Sequence, residues 1–346
     1  MPLWSQDQRL KLAISVLAAL VAVYAVATHR RNAVWQTDLS LWDDAVRKAP
    51  GHARSYWGRA LAYQARGEHD KALQDYNRAI ELCPWADQAY VNRGTLYETM
   101  GETELAFRDY AQAMTCNPRL AEPHYNRGAL YLKLGRPQDA IADLDRAVAL
   151  SSLSPGTYVN RGLAHLALGD RDKAMQDYDR ALAFDPRSAA AYSNRGSLLE
   201  LQGQTSQALD DYTRAIACDP EFADALYNRG TLLLKLDRLA EALADLDRAS
   251  RLQPERAAVF INRGSAHLKM GRLGNAVADL SRGLELDSGN AGAYLNRALA
   301  YLLAGNREAA QADAESCRRL GGDASEFERM KGVLATGKPA VPPDRK

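Results

Sequence analysis

Seven asparagines are the side chains whose type and spacing could do chemistry in this sequence. Asn92, Asn126, Asn160, Asn194, Asn228, Asn262 and Asn296 follow one another at a constant interval of thirty-four positions, six of them inside the triplet Asn-Arg-Gly. A carboxamide offers a donor and an acceptor together, which matches the N–H and C=O of an extended peptide. Asparagine is a mediocre helix former, so helical propensity gives no reason to repeat it. The column therefore predicts a ladder of amides that grips a peptide backbone. The competing reading is structural: each asparagine bonds a neighbouring repeat and holds the stack in register. The sequence leaves both open.

The rest of the same face indicates a ligand type. The column before the asparagines reads Val91, Tyr125, Val159, Ser193, Tyr227, Ile261 and Leu295, and a second column reads Thr95, Ala129, Leu163, Ser197, Thr231 and Ser265. Tyr125 and Tyr227 are its candidate contact aromatics. Basic side chains are few (Arg54, Lys133, Lys235 and Lys269), so the expected partner is a protein or peptide segment that is neutral rather than acidic.

Catalysis finds no support. The six histidines, His29, His52, His69, His124, His165 and His267, stand at no metal-ligand or triad spacing to Cys, Ser or carboxylate. His165 and His267 share a column with Tyr63, Tyr97, Tyr131 and Tyr301, which predicts packing. With no phosphate-binding glycine loop either, the expectation is no enzyme, no cofactor and no metal. Four scattered cysteines, Cys83, Cys116, Cys218 and Cys317, form no Cys-x-x-Cys and read as buried free thiols. Forty-four basic against 43 acidic residues give a net charge of +1, which offers nucleic acid no electrostatic purchase.

The elements that must position the asparagines follow from the same period. From Ala53 to Ala324 the chain divides without insertion into eight units of that period, and one unit cannot bury its apolar face without stacking on its neighbours. Each unit reads as two helices. Their turn falls at Gly67, Gly101, Gly135, Gly169, Gly203, Gly271 or Gly305, with Asp237 in the sixth unit. The second helix stops at Pro84, Pro118, Pro186, Pro220 or Pro254. Gly94, Gly128, Gly162, Gly196, Gly230 and Gly264 are expected to face the alanines of the second helix, from Ala72 to Ala310, in a close seam. Tyr76, Tyr110, Leu144, Tyr178, Tyr212, Leu246 and Leu280 would fill the space beside it. Eight arginines, Arg59 to Arg297, sit partly inside the packed face, and eight aspartates, Asp75 to Asp313, recur on the second helices. Arginines so placed need partners, which predicts a repeated Arg–Asp bridge that specifies register more than it adds net stability.

Outside the units, the run from Leu12 to Thr28 carries no charge, and its length is at the lower edge of what spans a bilayer as a helix. A secretory signal with Ala25-Val26-Ala27 as cleavage site is the competing reading. The length of the run and the following Arg30-Arg31 favour an uncleaved anchor over residues 1–31. Residues 32–52, with Trp42, Ala45 and Pro50, read as a connector and half-repeat cap. Residues 325–336 read as a capping helix on Phe327, Met330 and Leu334, and residues 337–346 as a disordered tail. The joint Ser151-Ser152-Leu153-Ser154-Pro155-Gly156 lacks the usual terminating proline and is the expected weak point of the array.

The eight periodic helix pairs over 53–324, with their Gly, Ala, Tyr and Pro columns, resemble the tetratricopeptide repeat family over about four fifths of the chain. The resemblance implies an all-α, right-handed superhelical solenoid whose first helices line a concave groove, and a binding scaffold without catalysis. The asparagine column resembles the ladder in the repeat domain of O-linked N-acetylglucosamine transferase. The arrangement of a membrane segment, Arg30-Arg31-Asn32, Trp35, Leu41-Trp42 and Pro50 ahead of the repeats is similar to the end of bacterial transmembrane-and-repeat glycosyltransferase-like proteins. It implies a single-pass membrane protein with extracytoplasmic repeats. The runner-up function is an accessory, substrate-recognition part of a membrane glycosyltransferase system.

Overall fold

A computed structural model describes residues 15–25, 28, 36–151 and 154–336, and every regular element among them is helical. The ends of the expected anchor, the doublet Arg30-Arg31, residues 152 and 153 of the joint, and the tail 337–346 lie outside the described residues. Among the described residues no helix is long and apolar enough to cross a membrane. The chain divides into two compact units, Met1–Leu153 and Ser154–Lys346, and the division falls inside the joint that lacks a terminating proline.

The first unit begins with helix α1 (15–25), whose apolar side chains are exposed, and continues with α2 (Asp38–Lys48). It then carries three helix pairs: α3 (Ala53–Ala65) with α4 (His69–Leu82), α5 (Asp87–Thr99) with α6 (Thr103–Cys116), and α7 (Glu122–Lys133) with α8 (Pro137–Leu150). Thr37 caps α2, its Oγ1 accepting from the Ser40 N–H at 3.1 Å while the Ser40 Oγ accepts from the Thr37 N–H at 3.2 Å. Helix α2 packs on α3 through Trp42, whose ring would lie 2.3 Å from a Cβ built on Gly58. A glycine is required there: the indole occupies the volume that a side chain would take.

The second unit holds five pairs: α9 (Pro155–Ala167) with α10 (Arg171–Phe184), α11 (Ala189–Leu201) with α12 (Thr205–Cys218), α13 (Ala223–Lys235) with α14 (Leu239–Leu252), α15 (Ala257–Lys269) with α16 (Leu273–Leu286), and α17 (Ala291–Leu303) with α18 (Arg307–Arg319). Helix α19 (Ser325–Thr336) closes it against α17, with Phe327 1% exposed among Leu299, Leu302, Ala310 and Ala314. Second helices end two residues before each terminating proline, because the residue preceding proline is itself driven out of the helical region.

Each turn between paired helices runs through a left-handed residue. Seven are the expected glycines, and in the sixth repeat Asp237 adopts φ 58°. The glycine column differs from expectation in one respect. A Cβ on Gly162 would first meet the Tyr178 ring at 2.6 Å, and one on Gly230 the Leu246 side chain at 2.9 Å. The glycine is therefore a seat for the large side chain of the second helix. The alanine enters as a backbone carbonyl, 3.3 Å away at Ala242. The thiols also differ: only Cys317 is buried, while Cys83, Cys116 and Cys218 are half-buried near the ends of their helices.

Candidate functional site

The frame that holds the candidate face is built from arginine and aspartate. In every repeat the arginine donates Nε and Nη2 to both carboxylate oxygens of the aspartate 16 residues later, as Arg93 does to Asp109 at 2.7 and 2.7 Å and Arg195 to Asp211 at 2.7 and 2.8 Å. The aspartates are buried, with Asp211 at 4% exposure, while the arginine side chains stay partly exposed, so the bridge shields the carboxylate more than the guanidinium. The hydrogen bond with Asp211 is the main reason the Arg195 guanidinium holds its proton more tightly than usual; burial opposes it. Burial alone would raise the Asp143 carboxyl, but bonds from His124 and Arg127 outweigh it and leave the group below its ordinary value. The third nitrogen reaches back: Arg195 Nη1 donates to Asp179 at 2.7 Å and Arg93 Nη1 to Asn77 at 2.6 Å, on the preceding second helices. One side chain thus closes a repeat and ties it to its neighbour. The arginines stack on first-helix rings as well, Arg93 lying 5.6 Å from the centroid of Tyr90.

All seven asparagines lie half-buried on first helices. Three are hydrogen-bonded backwards, in each case to a hydroxyl 31 residues earlier. Asn228 Nδ2 donates to Ser197 at 3.3 Å, Asn262 to Thr231 at 2.9 Å, and Asn296 to Ser265 at 2.9 Å. Among the described residues Asn92, Asn126, Asn160 and Asn194 carry no side-chain hydrogen bond. For Asn92 and Asn194 the residue at the matching earlier position of the same unit is Leu61 or Leu163, which cannot accept. For Asn126 it is Thr95, whose hydroxyl instead donates to the Val91 carbonyl at 3.1 Å and accepts from Tyr110 at 3.4 Å.

The column ahead of the asparagines is not uniformly a ligand face. Val91, Val159, Ser193 and Ile261 are buried, and Ile261 lies against Gly283 of its own second helix. One stripe of each first helix must close the pair, so the whole column cannot point outward. Tyr125 and Tyr227 remain half-buried. Tyr227 accepts from Asn262 at 3.4 Å, and the Arg256 guanidinium lies 4.0 Å from its ring centroid.

Lysines on this face are paired. Lys133 contacts Glu98 at 2.5 Å, Lys235 contacts Glu200 at 2.7 Å and Lys269 contacts Asp237 at 3.2 Å. Two histidines stand beside the buried aspartates: His165 Nε2 is 3.9 Å from Asp177 and His267 Nε2 3.8 Å from Asp279. Burial lowers the His267 pKa below its ordinary value, against the pull of nearby Asp279. Among the described residues no group of His, Cys, Asp and Glu could hold a metal ion.

Family profiles described as TPR repeat or tetratricopeptide repeat match residues 60–101 and 166–203, 121–152 and 189–222, 211–244, 261–324, 87–119, and 155–176. Together they take in most of the helix pairs. The chain belongs to the tetratricopeptide repeat family. A tetratricopeptide repeat protein from Parabacteroides merdae matches with 19% identity and a TM-score of 0.56, over 72% of this chain and 98% of that one. PilF of Pseudomonas aeruginosa matches with 21% identity and a TM-score of 0.56, over 60% of this chain and 96% of that one. The Cut9–Hcn1 hetero-tetramer of APC/C matches with 17% identity and a TM-score of 0.59, over 84% of this chain and 56% of that one. At these identities the likeness is one of fold. No curated protein matches the chain.

As a tetratricopeptide repeat scaffold the chain is suited to binding protein or peptide, and no catalytic family is among the matched profiles. Sequence reasoning missed two residues of this face, Glu98 and Glu200. Each accepts from a tyrosine of its own second helix, Tyr110 at 3.0 Å and Tyr212 at 3.1 Å, as well as pairing with a lysine. The signal was present as a Glu–Lys spacing of 35 residues that occurs twice.

Proposed function

We propose that this chain is a non-enzymatic, membrane-anchored tetratricopeptide scaffold that holds an extended, neutral segment of a partner protein along its asparagine column. The state of the amides carries the reading. An asparagine used only to fix register would be engaged as Asn228, Asn262 and Asn296 are. Asn92 and Asn126 in the first compact unit, and Asn160 and Asn194 in the second, keep donor and acceptor unbonded and accessible. Unsatisfied half-buried amides are suited to a peptide backbone. The paired lysines support a neutral ligand, since an acidic one would have to displace Glu98 or Glu200.

The ladder is tested within the second unit. Replacing Asn160, Asn194 and Asn228 together by alanine should weaken peptide binding by about 2–4 kcal/mol, or 30-fold and more, at about 0.5–1.5 kcal/mol per amide. Asn228→Ala alone should lower the melting temperature through its bond to Ser197, whereas Asn160→Ala with Asn194→Ala should leave it unchanged. Unchanged affinity in the triple variant removes the ladder.

Residues 12–28 are assigned as the anchor, with the repeats on the extracytoplasmic side. Helix α1 supports this: Leu17 is 62% and Val21 60% exposed, an apolar surface that a bilayer would cover. Carbonate-washed membranes should retain the full-length chain, and recovery of a soluble form beginning near Thr28 overturns the assignment. The runner-up, an accessory part of a membrane glycosyltransferase system, rests on the order of anchor, Arg30-Arg31-Asn32 and repeats.

A further inference from the structure

We propose that the seam between the fourth and fifth repeats is an apolar subsite, which takes one aliphatic or aromatic side chain of the bound segment. This rests on the peptide-holding function proposed above and adds the side chain that the segment must carry. Two couplings recur between successive first helices. An asparagine meets the residue 31 positions before it, as Asn228 meets Ser197, Asn262 meets Thr231 and Asn296 meets Ser265. The residue near the end of the helix meets the one 35 positions before it, as Lys133 meets Glu98 and Lys235 meets Glu200.

At the same offsets in the fourth and fifth repeats, Leu163 takes the position matched to Asn194 and Leu166 the position matched to Leu201. Leu163 and Leu166 are half-buried, and Leu201 is 59% exposed. Both polar couplings are thereby replaced by leucine. Below them the Tyr178 hydroxyl is buried without a partner. Tyr110 and Tyr212 give that proton to the glutamate 12 residues earlier, and the residue standing there for Tyr178 is Leu166. The Tyr178 ring is fixed against Gly162, beside Leu163, so its hydroxyl cannot turn away.

The seam leaves a leucine in water and a hydroxyl unpaired, both unfavourable for the isolated chain. The unbonded amides of Asn160 and Asn194 stand at its rim. An extended neutral segment answers the first: its backbone meets the amides and an apolar side chain covers Leu163, Leu166 and Leu201, while the buried Tyr178 hydroxyl gains no partner from it. The seam carries leucines where the next one carries the Glu200–Lys235 pair, so a charged side chain would meet apolar surface in their place.

The test rebuilds the neighbouring seam at this position. Leu163→Ser, Leu166→Glu and Leu201→Lys together copy Ser197, Glu200 and Lys235, and Tyr178 gains an acceptor. The melting temperature should hold or rise. Short peptides selected from a random display library on the full-length chain should share a Leu, Ile, Met or Phe, and its replacement by Ser should weaken binding tenfold or more in fluorescence anisotropy. The triple variant should show the same loss. Peptides that bind the triple variant as tightly, yet lose affinity for Asn160→Ala with Asn194→Ala, overturn the subsite and keep the ladder. Peptides indifferent to both sets of changes overturn both. Self-association of the full-length chain that the triple change abolishes, with no apolar preference among peptides, overturns the proposal in favour of a second copy.

Discussion

In the fourth repeat Tyr178 lays its ring against Gly162, and in the fifth Tyr212 lays its ring against Gly196. Both pairs are locked by the same bidentate bridge, Arg161 to Asp177 and Arg195 to Asp211. Yet the Tyr212 hydroxyl donates towards Glu200 and Ser197 at 3.1 and 3.2 Å, while the Tyr178 hydroxyl is buried beside leucines with no partner. Burial raises both phenol pKa values, so each keeps its proton and needs an acceptor. Two kinds of column separate here. Arg, Asp and Gly are identical in both repeats because they close the helix pair. The residues one and four positions after the glycine vary because they decide what the outer face presents.

The largest effect should come from breaking what the two repeats share. Arg195→Ala leaves Asp211, at 4% exposure, without its counter-charge and removes the tie to Asp179. Denaturant unfolding should register a loss of about 3–5 kcal/mol. A loss under about 1 kcal/mol would mean that the bridge behaves as a surface pair and that the frame is held by packing alone.

The next effect sharpens what differs. Tyr212→Phe removes a satisfied hydroxyl and should cost about 0.5–1.5 kcal/mol. Tyr178→Phe removes an unsatisfied one and should be neutral or stabilising by a similar amount, because its desolvation is uncompensated. Equal costs at the two sites would show that the fourth repeat finds an acceptor for Tyr178 in solution.

The smallest effect lies at the turn of the sixth repeat, where Asp237 stands in place of glycine. At φ 58° a side chain is strained, so Asp237→Gly should stabilise by up to about 1 kcal/mol, less whatever the exposed contact with Lys269 contributes. A destabilised variant would mean that the Lys269 contact outweighs the strain.

The constant period determined the helix pairs, the left-handed turn residues and the pairing of arginine with aspartate. Each follows from a local rule or from the cost of an unpaired charge repeated in every unit. The aspartate in the turn was legible for the same reason: a missing glycine in a strict column exposes the conformation the others adopt. Helix α19 was legible from Phe327 and Met330 at helical spacing, since the last repeat must cover its open face. What the sequence could not separate was the two uses of asparagine. Asn194 and Asn228 sit in identical triplets, and the residue at the matching position of the preceding first helix, Leu163 for one and Ser197 for the other, separates the unbonded amide from the engaged one. Nor could it tell that Val91 and Ile261 close the pair while Tyr125 and Tyr227 stay partly open, or that the tyrosine or leucine placed beside the seam sits directly over the glycine. Periodicity fixes which residues share a column, because it depends on backbone geometry alone. Which atoms of neighbouring columns meet depends on how far one helix is rotated and slid along the next. The packing of side chains between helices sets that rotation and slide, so only the tertiary structure decides it.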